Sequence, residues 1–390
     1  MDLKKWNIFS LLENDFNLEV KLACVFGNQG NEALLVMKND DVYALGVNLS
    51  GCLGLGTNNG TLHPQKVQAL CKKGVIGFAY GSGPHVICYT SLGEVYAWGH
   101  NAYCELANGT TTQSSNPMKV EVCLSTKVVV EVACGSHHSV VLTNEGEVYG
   151  WGYNGNGQLG NGNNVNQLNP CRVMALSNIV IVKVVCGCSH TLALSDEGKV
   201  YAWGANSFGQ LACLNRTNFF SPEQILEDIG RIVDIAASHY CNISAAMSQN
   251  SKVYMWGQCR GQIVLQPILT PYNSLHEVFA CYSTPSITYK PLTVAWDHGT
   301  KVYDSIKSSF DDQSTSDLII RVEGKDIYVH KALLKIRCQH FRSMFQYNWQ
   351  EDSRNVLEIE QFSYTVYRAF LRYLYTDQVD LPPEQALGKY

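Results

Sequence analysis

Three clusters in the 390-residue chain bring together residue types able to do chemistry. Cys134 lies close to His137 and His138, the ingredients of a thiolate nucleophile activated by an imidazole base. Cys186, Cys188 and His190 offer zinc-type ligands, but they number three where a closed structural site takes four, and no two cysteines are spaced C-x-x-C. Gly155-x-Gly157-x-x-Gly160 satisfies the dinucleotide fingerprint and follows a strand-like stretch. The segment after it, NGNNVNQLNP (161–170), cannot open the helix whose N-terminus would hold a pyrophosphate.

All three clusters have counterparts elsewhere in the chain. His85, His190 and His239 stand in positions similar to the histidines beside Cys134, and the glycine bend returns as NSFGQLACL (206–214) and NLSGCLGLG (48–56). Residues repeated in this way point to a shared architecture rather than to one reaction centre. The expectation is a protein without catalytic, cofactor or metal residues, and so not an enzyme.

The elements that position these residues are copies of one unit. EVYAWG (94–99), EVYGWG (147–152), KVYAWG (199–204) and KVYMWG (252–257) follow a weaker DVYALG (41–46), and their terminal glycines, Gly46, Gly99, Gly152, Gly204 and Gly257, are 53, 53, 52 and 53 residues apart. Each copy opens with an apolar strand, as in VVEVACG (129–135) and IVKVVCG (181–187), passes a Ser/His turn into a second strand and reaches the V-Y-x-W-G strand. A Gly/Asn-rich bend and a proline-containing return segment complete it. Three or four short strands per copy make an antiparallel sheet that cannot cover its own faces. Radial stacking into a propeller buries them and sets Trp98, Trp151, Trp203 and Trp256 between successive sheets, with Leu45 replacing the first tryptophan.

Composition agrees. Charged residues are 16% of the chain and glycines number 32, a balance suited to short strands and tight turns. The net charge of −5 lies wholly before Gln313, because ten basic and ten acidic residues follow; an acidic propeller is not expected to bind nucleic-acid phosphates. Fifteen cysteines, an odd number, fit a reducing compartment better than a disulfide framework. The apolar stretch from Trp6 to Leu12 is too short for a secretory signal core, and no run approaches the roughly 18 apolar residues of a spanning helix. A soluble protein inside the cell, without a membrane partner, is expected.

The repeat resembles that of the regulator-of-chromosome-condensation (RCC-type) family, whose pattern V-A-C-G-x-x-H-S, then G-x-V-Y-x-W-G-x-N, then G-Q-L-G is nearly complete at 132–160. The kelch propeller has a similar period, but its paired glycines ahead of a spaced Tyr and Trp are not visible. The resemblance implies a propeller over residues 21–292, after an N-terminal segment 1–20, with five full copies and a half copy, VFACYSTPSITYK (278–290), that lacks a V-Y-x-W-G strand. Relatives joining such repeats to a C-terminal BTB domain carry one more copy, so a shortened variant is expected, with closure of the ring left open.

After Pro291 glycine becomes scarce, and Val302, Ile306 and Phe310 recur at helical spacing, predicting a linker helix within 293–312. The remainder, 313–390, resembles the BTB/POZ fold, a small α/β domain: Asp317 precedes the first strand, His330-Lys331 opens a helix, and Leu334, Phe341, Met344-Phe345 and FLRYLY (370–375) follow in the family's order. Cys338 stands where serine is common. The resemblance implies a dimerisation role for the core and dimer candidates Asp317, His330, Lys331, Leu334 and Phe341. It further implies a cullin contact by Met344, Phe345, Trp349 and Glu351, an aromatic anchor with an orienting carboxylate at its rim. Because the family ordinarily continues into further helices, the domain is expected to be truncated at its C-terminus.

The expected function is therefore that of an interaction adaptor in nucleus and cytoplasm. Its propeller face recruits a client protein, and its BTB domain forms a homodimer and docks a cullin ubiquitin-ligase scaffold. The alternative is a guanine-nucleotide exchange factor for a Ran-like small GTPase. Even 52–53 residue spacing leaves little room for an inserted wedge and favours the adaptor.

Overall fold

The computed structural model describes residues 3, 6–10, 12–27, 29–282, 292–293, 306–345 and 355–376. The chain forms two compact units, Met1–Ala295 and Trp296–Tyr390. In the first, five successive groups of four antiparallel strands form five blades. Their first strands are Val20–Phe26, Val75–Tyr80, Val129–Cys134, Ile181–Cys186 and Ile232–Ala237. Residues from the last four of these strands line a common central cavity, so the first strand of each blade is the inner one. The V-Y-x-W-G elements are the third strands, Val42–Gly46, Val95–Gly99, Val148–Gly152, Val200–Gly204 and Val253–Cys259.

The tryptophans lie between blades, as their spacing requires. All four are fully buried, each withdrawing on the order of 150–250 Å² from water, worth about 4–6 kcal/mol gross. Burial alone does not orient an indole; its N–H does. Trp98 Nε1 donates to Cys52 O (2.6 Å), Trp151 to Glu105 O (2.6 Å), Trp203 to Gln158 O (2.8 Å) and Trp256 to Gln210 O (2.9 Å). Every acceptor lies in the bend after the third strand of the preceding blade. That bend is held in shape by a buried asparagine two residues past the strand glycine. Asn48, Asn101, Asn154 and Asn206 accept from the backbone N–H of Leu53, Leu106, Leu159 and Leu211 at 2.9–3.0 Å. The strand glycine is obligatory: Gly204 has φ +102°, and a Cβ there would sit 2.6 Å from Ser189 O.

This directional link is missing at one face of blade 1 and one face of blade 5. Blade 1 has Leu45 in place of an indole, and it packs with Leu3, Phe9 and other residues of the N-terminal segment, which covers the face. In blade 5 the strand Val253–Cys259 turns straight into Gln262–Leu269 through Arg260-Gly261, omitting the bend that would accept the next indole. The helix Leu275–Tyr282 covers that face with Leu275, Val278 and Phe279. The expected half copy is thus corrected: residues 278–282 belong to a helix, because the blade 5 face needs an apolar cover, and 283–290 lie outside the described residues. Leu292–Thr293 pairs antiparallel with Val20–Phe26, adding a fifth strand to blade 1.

The turns after the inner strands link blades near the axis. Gly83 N donates to Ser136 O (2.8 Å), Ser136 N to Cys188 O (2.8 Å) and Cys188 N to Cys241 O (3.3 Å). Ser82 Oγ reaches His239 O at 3.0 Å, and Tyr240 packs against the core shared by blades 1 and 2. Closure at the axis therefore runs through the blade 5 turn, while the terminal blade faces carry separate covers.

The second unit is α/β. Leu318–Val322 is the central strand, antiparallel to Lys325–Val329 and parallel to Val356–Ile359. Helices Lys331–Arg337, Gln339–Met344 and Tyr364–Thr376 accompany the sheet. Residues 306–308 are helical, and Ile306 and Phe310 pack on the core of this unit. The end of the expected linker is thus part of the C-terminal domain, because its apolar stripe has that core to cover; residues 294–305 of the expected linker lie outside the described residues.

Trp203→Phe is expected to keep most of the apolar packing but remove one donor from Gln158 O, lowering stability by about 1–3 kcal/mol, with Trp203→Ala costing about 3–5 kcal/mol. Urea unfolding followed by circular dichroism checks both; an unchanged midpoint for the phenylalanine variant would show that the N–H contributes nothing.

Candidate functional site

The histidines that suggested chemistry begin the second strand of each central blade. His85, His138 and His190 pair in register with Gly99, Gly152 and Gly204, and all three are fully buried. Each Nε2 meets a hydroxyl of the next blade: His85 with Ser139 (3.2 Å), His138 with Thr191 (3.1 Å) and His190 with Ser244 (2.8 Å). Those hydroxyls donate to Glu105 O, Gln158 O and Gln210 O, the same carbonyls that accept the indoles. Burial holds His138 and His190 down at about 3, so both rings are neutral near pH 7. In the His138 and His190 pairs a hydroxyl that donates onward receives the hydrogen of Nε2, which makes these two rings structural donors rather than bases, whereas His85 donates from Nδ1 to Gly83 O at 2.7 Å.

The remaining candidates fall into the same pattern. Cys134 is buried and its thiol is pushed well up by burial, so it supplies no thiolate near pH 7. Cys186 is likewise buried and raised, and Cys186, Cys188 and His190 are not among the ligand clusters that the described residues form. His239 is not the blade 5 equivalent: Ile243 pairs with Gly257 at that register, and His239 lies on the axis against Tyr80, ring centroids 4.5 Å apart. It helps line a cavity of about 180 Å³ with Tyr80, Glu131, Cys134, Lys183 and Cys186. Gly160 serves packing, since a Cβ there would come within 2.8 Å of Trp203 Nε1.

Two faces of the propeller are distinguished by the ends of the inner strands. At their starts, the pairing of the first and second strands skips one residue in every blade: Lys21, Ile76, Val130, Val182 and Val233. Such bulges turn a side chain out of the ladder. Ile76, Val130, Val182 and Val233 are accordingly 42%, 41%, 51% and 45% exposed, an aliphatic residue presented at one position of four consecutive blades. The histidine-bearing turns are at the opposite ends of these strands.

Departures from the repeat create two unusual carboxyls. Glu32 pairs with Gly46, where a histidine stands in blades 2 to 4, but blade 2 offers Val86 rather than a hydroxyl; burial pushes Glu32 up to about 7. Glu105 takes the place of Gln158 and Gln210, and its Oε2 accepts from Tyr103 N at 2.8 Å as Gln158 does from Asn156 N. Its Oε1 is 3.1 Å from His100 Nδ1 and 2.9 Å from His137 Nδ1. Burial alone would raise Glu105, but the two imidazoles outweigh it and hold the carboxyl at about 2. This cluster escaped sequence reasoning, which set aside His137 with Cys134; the available signal was the departure of Cys104-Glu105-Leu106-Ala107 from G-Q-L-G.

In the C-terminal unit, Asp317 Oδ1 accepts from Lys331 N at 2.7 Å, tying the start of the first strand to a helix start. His330 N donates to Tyr375 Oη at 2.7 Å, and Leu334 and Phe341 are core. Phe345 is 2% exposed and belongs to that core, which corrects its assignment as a cullin contact; Met344 is half-buried. Trp349 and Glu351 lie outside the described residues.

Residues 39–88, 93–142, 145–194 and 197–244 match the regulator of chromosome condensation (RCC1) repeat, just over half of the chain, and 306–389 match the BTB/POZ domain. The chain belongs to the RCC1-repeat family. Each matched RCC1 repeat runs from the third strand of one blade into the second strand of the next, so each covalent repeat straddles a blade interface. Over 230 residues the chain is 33% identical to the ultraviolet-B receptor UVR8 of Arabidopsis thaliana, covering 58% of this chain and 51% of that protein. It is 35% identical over 222 residues to the human E3 ubiquitin-protein ligase HERC2, covering 56% of this chain and 4% of the ligase. The chain thus spans about half of the first relative and a small fraction of the second. Among solved structures, human WBSCR16 aligns with TM-score 0.55 at 22% identity, covering 62% of this chain and 65% of that one. Yeast RCC1 (Prp20) bound to Kap60 aligns with TM-score 0.53 at 21% identity, covering 62% and 59%. RCC1 repeats joined to a BTB domain support a protein-interaction adaptor.

The buried groups fix the pH response of the RCC1 propeller. His138 and His190 remain neutral when folded but ionise when unfolded, so their contribution is fully present above about pH 6.5 and is lost as pH falls toward 3, by up to about 1.4 kcal/mol per pH unit each. Glu32 has the opposite sense: its folded value is raised, so stability is lost as pH rises from about 4.5 toward 7. Glu32→Gln is expected to raise the unfolding midpoint at about pH 8 and to give no such gain at about pH 4. Thermal unfolding across pH tests this; equal gains at both ends would contradict a buried, neutralised Glu32.

Proposed function

We propose that the chain is a non-enzymatic adaptor of nucleus and cytoplasm. Its RCC1 propeller holds a client protein while its BTB domain pairs two chains and attaches them to a cullin scaffold. The observation that carries the client half is the solvent-facing aliphatic position repeated at the inner-strand bulges, Ile76, Val130, Val182 and Val233. A repeated apolar element on one propeller face suits a protein surface that buries several side chains together. A ligase connection draws support from the E3 ligase HERC2 among the relatives and from the BTB match. Met344, Trp349 and Glu351 are the residues assigned to the cullin contact by resemblance. Pairing through the BTB domain gives a client two attachment points and raises avidity without new contacts.

Light scattering coupled to size exclusion is expected to give twice the 43.3 kDa chain mass, and loss of residues 313–390 to give a single chain mass. Proximity labelling in cells, comparing the native chain with Val130→Glu/Val182→Glu, is expected to lose client signal while retaining cullin signal. Unchanged client labelling would contradict the assigned face. Cullin labelling that survives Glu351→Lys would remove that residue's role, and accelerated nucleotide release from a Ran-like GTPase would overturn the non-enzymatic reading.

A further inference from the structure

The cluster of His100, Glu105 and His137 has no use in the adaptor reading. Its three ligand atoms all lie within 4.8 Å of one another, with Glu105 Oε1 at 3.1 and 2.9 Å from the two Nδ1 atoms. Zinc binds imidazole nitrogen at about 2.0–2.1 Å and carboxylate oxygen at about 2.0–2.2 Å, so ligands at angles of about 90–110° lie roughly 2.9–3.4 Å apart. The observed separations from Oε1 fall in that interval before any ion is added.

The surroundings hold the ligands in place. Glu105 is completely buried, and its second oxygen is fixed by Tyr103 N. His137 lies over Gly83, where a Cβ would come 2.1 Å from the ring, and meets the edge of Tyr103 at a centroid distance of 4.8 Å. His100 is anchored by its backbone N–H to Pro84 O at 2.8 Å. The two imidazole side chains remain 29% and 31% exposed, so an ion has access to solvent and room for exchangeable ligands.

We propose that His100 Nδ1, His137 Nδ1 and Glu105 Oε1 form a divalent transition-metal site of the zinc type, across the interface of blades 2 and 3. Two imidazoles and one carboxylate select such an ion over calcium or magnesium, which prefer all-oxygen shells. On binding, each ring hands its Nδ1 lone pair to the ion and carries its remaining hydrogen on Nε2, while the carboxylate stays ionised. Three protein ligands leave positions for water or for a donor supplied by a partner.

Cobalt(II) is the probe, added to the full-length chain kept reduced and freed of metal by chelation. The native chain is expected to take up one ion with visible d–d bands and no thiolate charge-transfer band. Glu105→Gln installs the residue found at 158 and 210, so folding is expected to be preserved, and cobalt binding should weaken by at least about tenfold. His137→Ala should weaken it likewise, with circular dichroism confirming the fold of both variants. Absence of binding by the native chain, a thiolate charge-transfer band, or equal affinity in folded Glu105→Gln would each overturn the site.

Discussion

The propeller depends on one directional contact: an indole N–H of one blade donated to a carbonyl in the bend of the blade before it. Hydrophobic burial drives the blades together but leaves their register loose, because apolar surfaces slide. A carbonyl at the bottom of a buried interface has no water to fall back on, so the indole must meet it. In the last three interfaces the same carbonyl also receives a hydroxyl, which is in turn engaged by a histidine of the blade that owns the carbonyl. Two blades thus share one set of donors and acceptors, which ties their relative placement.

Because the contact has a donor side and an acceptor side, the array has polarity. Blade 1 lacks the donor and blade 5 lacks the acceptor bend, and each of these faces is covered by its own apolar segment. The first interface is the least regular: Val86 offers no hydroxyl and Glu32 replaces a histidine, leaving a carboxyl whose charge burial disfavours. Such irregularities sit at the margins of the pattern, where there is least symmetry to maintain.

Much of this was legible in the residues. A 52–53 residue period with a recurring V-Y-x-W/L-G step fixes the number of third strands and places the four tryptophans between sheets, since nothing else in the unit can cover its faces. The recurrence of His85, His138 and His190 correctly marked them as architecture. Other features depend on contacts that spacing does not record. His239 looked equivalent to the other histidines, but strand register gives that place to Ile243. The stretch from Val278 looked like a sixth inner strand, but the bare face of blade 5 takes it as a helix. Phe345 was a docking candidate only through the BTB resemblance; its burial depends on the packing of strands and helices far along the chain. The acidic center at Glu105 was hidden because one carboxylate in place of an amide is a small change in sequence and a large one beside two imidazoles.

The most direct test of directional, blade-to-blade coupling is hydrogen–deuterium exchange read by mass spectrometry on a Trp256→Ala chain. Nearest-neighbour coupling predicts faster exchange in blade 5, its covering helix Leu275–Tyr282 and the bend around Gln210, with blades 1 to 3 as protected as before. Protection lost evenly through all five blades, or lost nowhere, would contradict it.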